Sequence, residues 1–305
     1  MDNLIDIESY QEELTKMNKS IRKIYHQFMA LAMDYQFYKQ KTFNDHDIYK
    51  LRDEVHYRFK SVRVQTQVLF QHQLRLNQHL QKTYIENKEE IFKDYWPSHP
   101  LFDQYQEEIS SLFDGFIYHL TSIFDYIGNI TNYMFGEKKQ EPMNWNSLAK
   151  SSRDINTLFG KASFAETIKE IDRQFTTKLY RHRSFLIHER SDIFNSQQFI
   201  SNNQKTIFSK FIASNKFVKN FSDLRQIPDE KFITIDYVVF WLFHKTIEEI
   251  TKVLFSLKAE LELKPEPINF GTIGAIGKDG RLVSPSEIYW KGIDPVEYEK
   301  MIKEE

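Results

Sequence analysis

Apolar residues recur along this chain at intervals of three, four and seven, with polar residues between them. Ile7, Leu14, Met17, Ile21, Ile24, Phe28, Leu31 and Tyr35 form one stripe of a helix expected over residues 4–41. Asn44-Asp45-His46-Asp47 breaks the stripe and offers N-cap side chains to a second helix over 47–93. Its inward positions run Ile48, Leu51, Val55, Phe59, Val62, Leu69, Leu76 and Leu80, with no glycine or proline among them. Unbroken, it would reach about 70 Å at the α-helical rise. Two such helices joined by a short polar turn predict an antiparallel hairpin. Trp96-Pro97-Ser98-His99-Pro100 stops it, because proline cannot continue a helix and restricts the residue before it.

The next pattern, over 101–135, is wider. Phe102, Tyr105, Ile109, Leu112, Phe113, Phe116, Leu120, Ile123, Phe124, Ile127 and Ile130 cover too much of the circumference for a surface helix, so this one is predicted to be central. Gly115 and Gly128 inside it predict close approaches, and Gly136 is placed to end it as a C′ residue. A polar loop over 137–148 follows, with Trp145 expected to plug an end of the bundle. A short helix near 147–158 and a longer one over 163–189 come next. Ser163 stands three residues before Glu166, the spacing of a capping box. Residues 191–230 read as a long connection with a short helix near 204–213. A last long helix spans 232–263 on Ile235, Val238, Val239, Leu242, Phe243, Ile247, Ile250, Val253, Leu254 and Leu257. Beyond Pro265, two short apolar runs flank Gly277-Lys278-Asp279-Gly280 and predict a β-hairpin with an Asp-Gly turn.

The pattern therefore predicts an all-α fold: a bundle of long antiparallel helices with a small C-terminal β-hairpin. Three segments are expected: a long helical hairpin over 1–97, a helical bundle over 98–264, and a hairpin tail over 265–305. Composition agrees, with 41% hydrophobic and 28% charged residues and only nine glycines and eight prolines in 305 residues. The absence of cysteine excludes disulfides, thiolate zinc sites and cysteine nucleophiles. No basic stretch followed by an apolar run opens the chain, and its most apolar run, 237–243, falls far short of the roughly 20 residues a membrane span needs. A soluble, cytoplasmic protein with no membrane contact is expected. The net charge of −2 gives no global attraction to nucleic acid, so any such binding must come from a local basic patch.

That patch is Lys178-Leu179-Tyr180-Arg181-His182-Arg183-Ser184-Phe185-Leu186-Ile187-His188-Glu189-Arg190, at the C-terminal end of a predicted helix. Arg183 and His188 are separated by four residues, with the small polar Ser184 directly after the arginine; Arg181 and His188 are separated by six. This arrangement resembles the Arg-x4-6-His signature of the HEPN superfamily, helical bundles many of which cleave RNA. The resemblance covers roughly residues 100–262, including the aromatic-rich Phe113-Asp114-Gly115-Phe116-Ile117-Tyr118-His119-Leu120 ahead of the motif. It implies a homodimer in which two copies of the motif face one another across a cleft. It implies Arg183 and His188 as the catalytic pair, with Lys178, Arg181, His182, Ser184 and Arg190 holding phosphates or supporting the pair. The Arg181 register stays open, since on a helix positions seven apart nearly coincide in direction while positions five apart differ by about 140°.

The chemistry fits the residue types. An imidazole takes or returns a proton at the ribose 2′-hydroxyl or the leaving oxygen, and a guanidinium stabilises charge on the phosphate. No metal and no cofactor is needed. Toxin or phage-defence roles, with a protein partner such as an antitoxin, are implied by the same analogy. The rival reading is a non-catalytic helical module that binds a partner or nucleic acid. His72 and His79 share a helix face, yet no carboxylate-x-x-His pair recurs on two helices as a di-metal bundle requires.

Overall fold

The computed structural model describes residues 7–39, 46–86, 100–137, 141–188, 196–200, 206–221, 223–224, 233–265, 275–276 and 282–304. Within them the protein is an all-α bundle of long antiparallel helices with a small C-terminal β-hairpin. Helices α1 (Ile7–Tyr38), α2 (His46–Glu86) and α3 (Pro100–Phe135) lead. Short helices α4 (Trp145–Arg153) and α5 (Leu158–Lys161) follow. Then α6 (Ala165–Ile171), a π-helical turn (Asp172–Thr176) and α7 (Thr177–His188) run consecutively. Strands β1 (Ser196–Ile200) and β2 (Ile207–Phe211), helix α8 (Asn215–Asn220) and long helix α9 (Ile235–Glu262) come next. The tail holds β3 (Ala275–Ile276), β4 (Leu282–Val283), α10 (Pro285–Trp290) and α11 (Pro295–Glu304). Among the described residues no helix is long and apolar enough to cross a membrane.

Contacts divide the chain into two compact units. The first takes Met1–Lys16, Ser61–Thr121 and Thr177–His244; the second takes Met17–Lys60, Ser122–Thr176 and Lys245–Glu305. Every division falls inside a helical segment, so these units do not follow the sequence boundaries expected after 97 and 264.

In the second unit the predicted hairpin of α1 and α2 is antiparallel. Tyr49 donates to Gln36 Oε1 (2.9 Å), the rings of Tyr25 and His56 lie 4.5 Å apart, and the Arg52 guanidinium sits 5.1 Å above Tyr25. The loop before α4 is strapped to α3 by one polar stripe. Asp125 accepts from Trp145 N (3.2 Å), Asn129 accepts from Met143 N (2.7 Å), and Asn132 donates to the Glu141 carbonyl (2.8 Å). That approach explains Gly128, where a Cβ would lie 2.4 Å from the Met143 carbonyl oxygen. Gly128→Ala is therefore expected to cost about 1–3 kcal/mol in denaturant unfolding, because backbone must move to admit the methyl. Gly136 serves a similar end. It does not adopt the left-handed conformation expected of a C′ residue, and a Cβ there would collide with Asn132.

Three local expectations need correction here. Trp145 begins a helix rather than lying in a loop; it is fully buried and donates its indole N–H to Asp172 (2.9 Å). Asp172 also accepts from Thr176 (2.8 Å) and pairs with Arg153, and the turn that carries it is π-helical, interrupting the continuous helix expected over 163–189. Ser163 does not cap α6: its backbone and hydroxyl both donate to Glu260 (2.7 Å each), leaving Phe164 at the cap without a side-chain bond. The tail past the hairpin is helical as well. Ser284 caps α10 with Pro285 at its start, and Asp34 on α1 receives the Ser286 hydroxyl and the Trp290 indole N–H (2.6 Å). Burial pushes the Asp34 carboxyl above the usual carboxylate range, against the lowering effect of those two bonds.

In the first unit the helix expected near 204–213 is a strand. β2 pairs antiparallel with β1, and its outer edge is bonded by amides four residues apart on α2. Gln81 accepts from Ile207 N (2.8 Å), Asn77 accepts from Ser209 N (2.9 Å), and Gln73 donates to the Ser209 carbonyl (2.7 Å). Lys210 on β2 is buried beside Asp236 of α9 (2.5 Å) and Tyr10 of α1 (2.6 Å).

Candidate functional site at the end of helix α7

Helix α7 lies antiparallel to α3 in the first unit. Leu179 is fully buried, and the Tyr180 hydroxyl donates to the Thr121 carbonyl (3.0 Å). One turn on, the ring of His182 is 1% exposed, with Phe217 at 4.7 Å edge-on and Phe113 at 6.2 Å. Helix α8 supplies Phe217, and Ser214 caps that helix through Phe217 N. The same packing stripe, spaced by three and four, runs Phe175, Leu179, His182, Leu186, which is why the histidine turns inward.

Burial holds the His182 imidazole down at about pKa 4, and the nearby Lys216 charge acts in the same direction. It is neutral at pH 7 and sits inside the packing, so it does not serve the phosphate-binding role the motif suggested. The folded chain keeps this ring unprotonated while an unfolded chain protonates it below about pH 6.5. Stability is thus lost as pH falls from about 6.5 towards 4. His182→Leu is expected to remove that slope, which amounts to about 2 kcal/mol between pH 7.5 and pH 5, measured by urea unfolding at both pH values.

The neighbours of His182 point elsewhere. Arg181 and Ser184 are exposed, and Lys178, Arg183, Phe185 and Leu186 are half-buried. The Arg183 guanidinium lies 5.1 Å above the ring of Tyr118, which is 45% exposed. Lys216 Nζ sits 3.1 Å from the Phe185 ring centroid. Tyr118 and Lys216 were not among the residues expected at the site; 65 and 31 positions separate them from Arg183 and Phe185, and no local pattern links them.

The backbone of α7 stays helical through residue 188, whereas the side chain of His188 and all of Arg190 lie outside the described residues. Helix geometry still gives the angular positions of the backbone sites. Position 188 is about 20° from Arg181 around the axis and about 140° from Arg183. Positions 181, 184 and 188 therefore share one face, and Arg183 stands on another, against Tyr118. Such a face combines an exposed guanidinium, a hydroxyl and an imidazole position, the groups needed to bind a phosphodiester and move a proton.

Elsewhere, His72 is engaged with Glu108 (2.6 Å), and among the described residues no group of three or more histidine or carboxylate side chains is placed to hold a metal ion. A cleft of about 450 Å³ in the second unit lies between Asn132, Met143, Ser151 and Thr157, with exposed Glu137 and Glu141 at its margin. That margin repels phosphate. No family model, no curated protein and no solved structure matches this chain.

Proposed function

We propose that the protein is a metal-independent endoribonuclease of the HEPN type, working as a homodimer, with the exposed face of the last turns of α7 as its site. The observation that carries this reading is the unbroken helix through residue 188, which sets Arg181, Ser184 and position 188 on one face. In this reading the Arg181-x6-His188 register supplies the reacting pair within one copy. Arg183, braced on Tyr118, and half-buried Lys178 hold flanking phosphates, and Arg190, two positions on in sequence from His188, adds a further positive charge.

The His188 imidazole takes the proton of a ribose 2′-hydroxyl as its oxygen bonds to phosphorus. The bond from phosphorus to the 5′-oxygen breaks, and that oxygen receives a proton from an imidazolium. Arg181 balances the charge that grows on the non-bridging oxygens. The products are a 2′,3′-cyclic phosphate and a 5′-hydroxyl. A cytoplasmic role as a toxin or in phage defence, restrained by a protein antitoxin, suits such chemistry.

A second reading, a non-catalytic RNA-binding module, is favoured by one observation: Arg183 rests on Tyr118, an arrangement suited to stacking against bases. Incubating purified protein with structured and unstructured RNA in EDTA separates the two. Cleavage by the wild type and none by His188→Ala supports the nuclease. Binding by both proteins without cleavage supports the module.

A further inference from the structure

Helices α7 and α8 both belong to the first unit and pack on one another. The contact is aromatic. Buried Phe217 of α8 meets buried His182 edge-on at 4.7 Å and the Phe113 ring of α3 at 5.8 Å. Between them Thr177–His188 and Asn215–Asn220 carry Lys178, Arg181, Arg183, Lys216 and Lys219, and neither helix contains an aspartate or glutamate. A chain with a net charge of −2 thus concentrates positive charge on two neighbouring helices.

The helical repeat says where those charges stand. Around the α7 axis, position 188 lies about 20° to one side of Arg181. On the other side come Phe185 at about 40°, Lys178 at about 60° and His182 at about 100°, while Arg183 is about 160° away. Helix α8 covers the His182 side. From there Lys216 reaches back over Phe185, with its Nζ 3.1 Å from the ring centroid. After burial, its charge is the second cause that keeps the His182 ring neutral. The ring beneath the ammonium steadies it by cation–π attraction, next to the exposed face of Arg181 and Ser184. Lys216 is itself exposed, and so is Lys219, three residues on.

We propose that α8 forms one wall of a track for the RNA backbone, and that Lys216 binds the phosphate next to the one met by Arg181. Lys178, on the same line of α7 as Phe185 and about 10 Å along the axis, continues the track. RNA fits this surface better than an acidic protein does. Among the described residues neither helix exposes a large apolar side chain of the kind that anchors a protein partner. Lys216 has this role only if the α7 face is the RNA site proposed above; it needs RNA bound there, not cut.

The test is fluorescence anisotropy at several salt concentrations. Its probe is a short single-stranded RNA carrying 2′-O-methyl groups, which cannot be cleaved through the 2′-oxygen. For Lys216→Ala the dissociation constant should rise at least about threefold, and its log–log slope against salt should fall by about 0.7, one phosphate contact fewer. RNAs of different sequence should lose affinity equally, because a phosphate contact reads no base. Lys216→Arg should keep both slope and affinity. Lys19→Ala, which removes an exposed lysine of α1 in the second unit, should keep the slope. An unchanged slope in Lys216→Ala overturns the proposal, as does an equal effect from Lys19→Ala or a wild type that binds no RNA. Cleavage of unmodified RNA by the same proteins separates this site from the nuclease reading. In an active enzyme Lys216→Ala should raise KM and leave kcat unchanged. Binding that depends on Lys216 in a protein that never cuts RNA keeps the phosphate site and removes the nuclease. Cleavage with a salt slope indifferent to Lys216 does the reverse.

Discussion

Replacing Lys210 by methionine is expected to destabilise the protein by about 3–5 kcal/mol, since it removes one partner of a buried ion pair and strands the other. Lys210 and Asp236 are about 4–5% exposed, 2.5 Å apart, and the Tyr10 hydroxyl donates to the same carboxylate (2.7 Å). Tyr10 is itself stacked on Phe70 with ring centroids 4.2 Å apart, so the cluster joins β2, α9 and α1 in the first unit. Burial pushes the Asp236 carboxyl upward. The Lys210 charge, with bonds from Lys210, Thr234 and Tyr10, outweighs that and holds it below the usual carboxylate range. For a depressed carboxyl the stabilisation is complete above the unfolded value near pH 4 and is lost as pH falls through the folded one. In Lys210→Met the carboxyl should instead be raised, because only burial and neutral hydrogen bonds remain. The destabilisation of the variant relative to the wild type should therefore shrink as pH falls towards 4. Adding Asp236→Asn should recover part of the loss, since no buried charge is left. Urea unfolding between pH 4 and 8 measures all three proteins.

The second large effect concerns the α7 face. His188→Ala should lower RNA cleavage about 10²–10⁴-fold through loss of proton transfer. Arg181→Ala should cost about 10²–10³-fold through loss of charge stabilisation. Arg183→Ala should act differently. Its guanidinium stands about 140° from position 188 and rests on Tyr118, so its loss should weaken RNA binding more than turnover. Tyr118→Leu should reproduce the Arg183 effect, while a role confined to folding would instead appear as a lower unfolding midpoint with unchanged affinity.

Much of the fold was legible because period and width of the apolar pattern report burial directly. The α1 stripe from Leu14 to Tyr35 is buried, and the broad band of α3 from Phe102 to Ile130 marks it as a central helix. The β3–β4 pairing was readable from the short apolar runs on either side of Gly277-Lys278-Asp279-Gly280, a segment that itself lies outside the described residues. Strand β2 was not, because its edge partners Gln73, Asn77 and Gln81 lie more than 120 residues earlier in the chain, and no local propensity reports them. The π turn similarly depends on Asp172 meeting Trp145 and Arg153. Helix α10 did carry a local signal, Ser284-Pro285 followed by Glu287, with serine at the cap and proline in the first turn.

At the site, the sequence located the basic turn but not its sidedness. Arg181, His182 and Arg183 are consecutive and chemically alike as letters, yet one is exposed, one lies in the core and one rests on an aromatic ring. The i, i+4, i+7 spacing of Phe175, Leu179 and His182 is the physical trace of that difference. Reading it places His182 in the packing and makes Arg181 the arginine that shares a face with position 188.

If this face cleaves RNA without a metal, the termini of the product RNA report it. With EDTA present, wild-type protein should leave 2′,3′-cyclic phosphate and 5′-hydroxyl ends, and Arg181→Ala should reduce their yield far more than Arg183→Ala. Intact RNA under those conditions, or ends bearing 5′-phosphate, would contradict it.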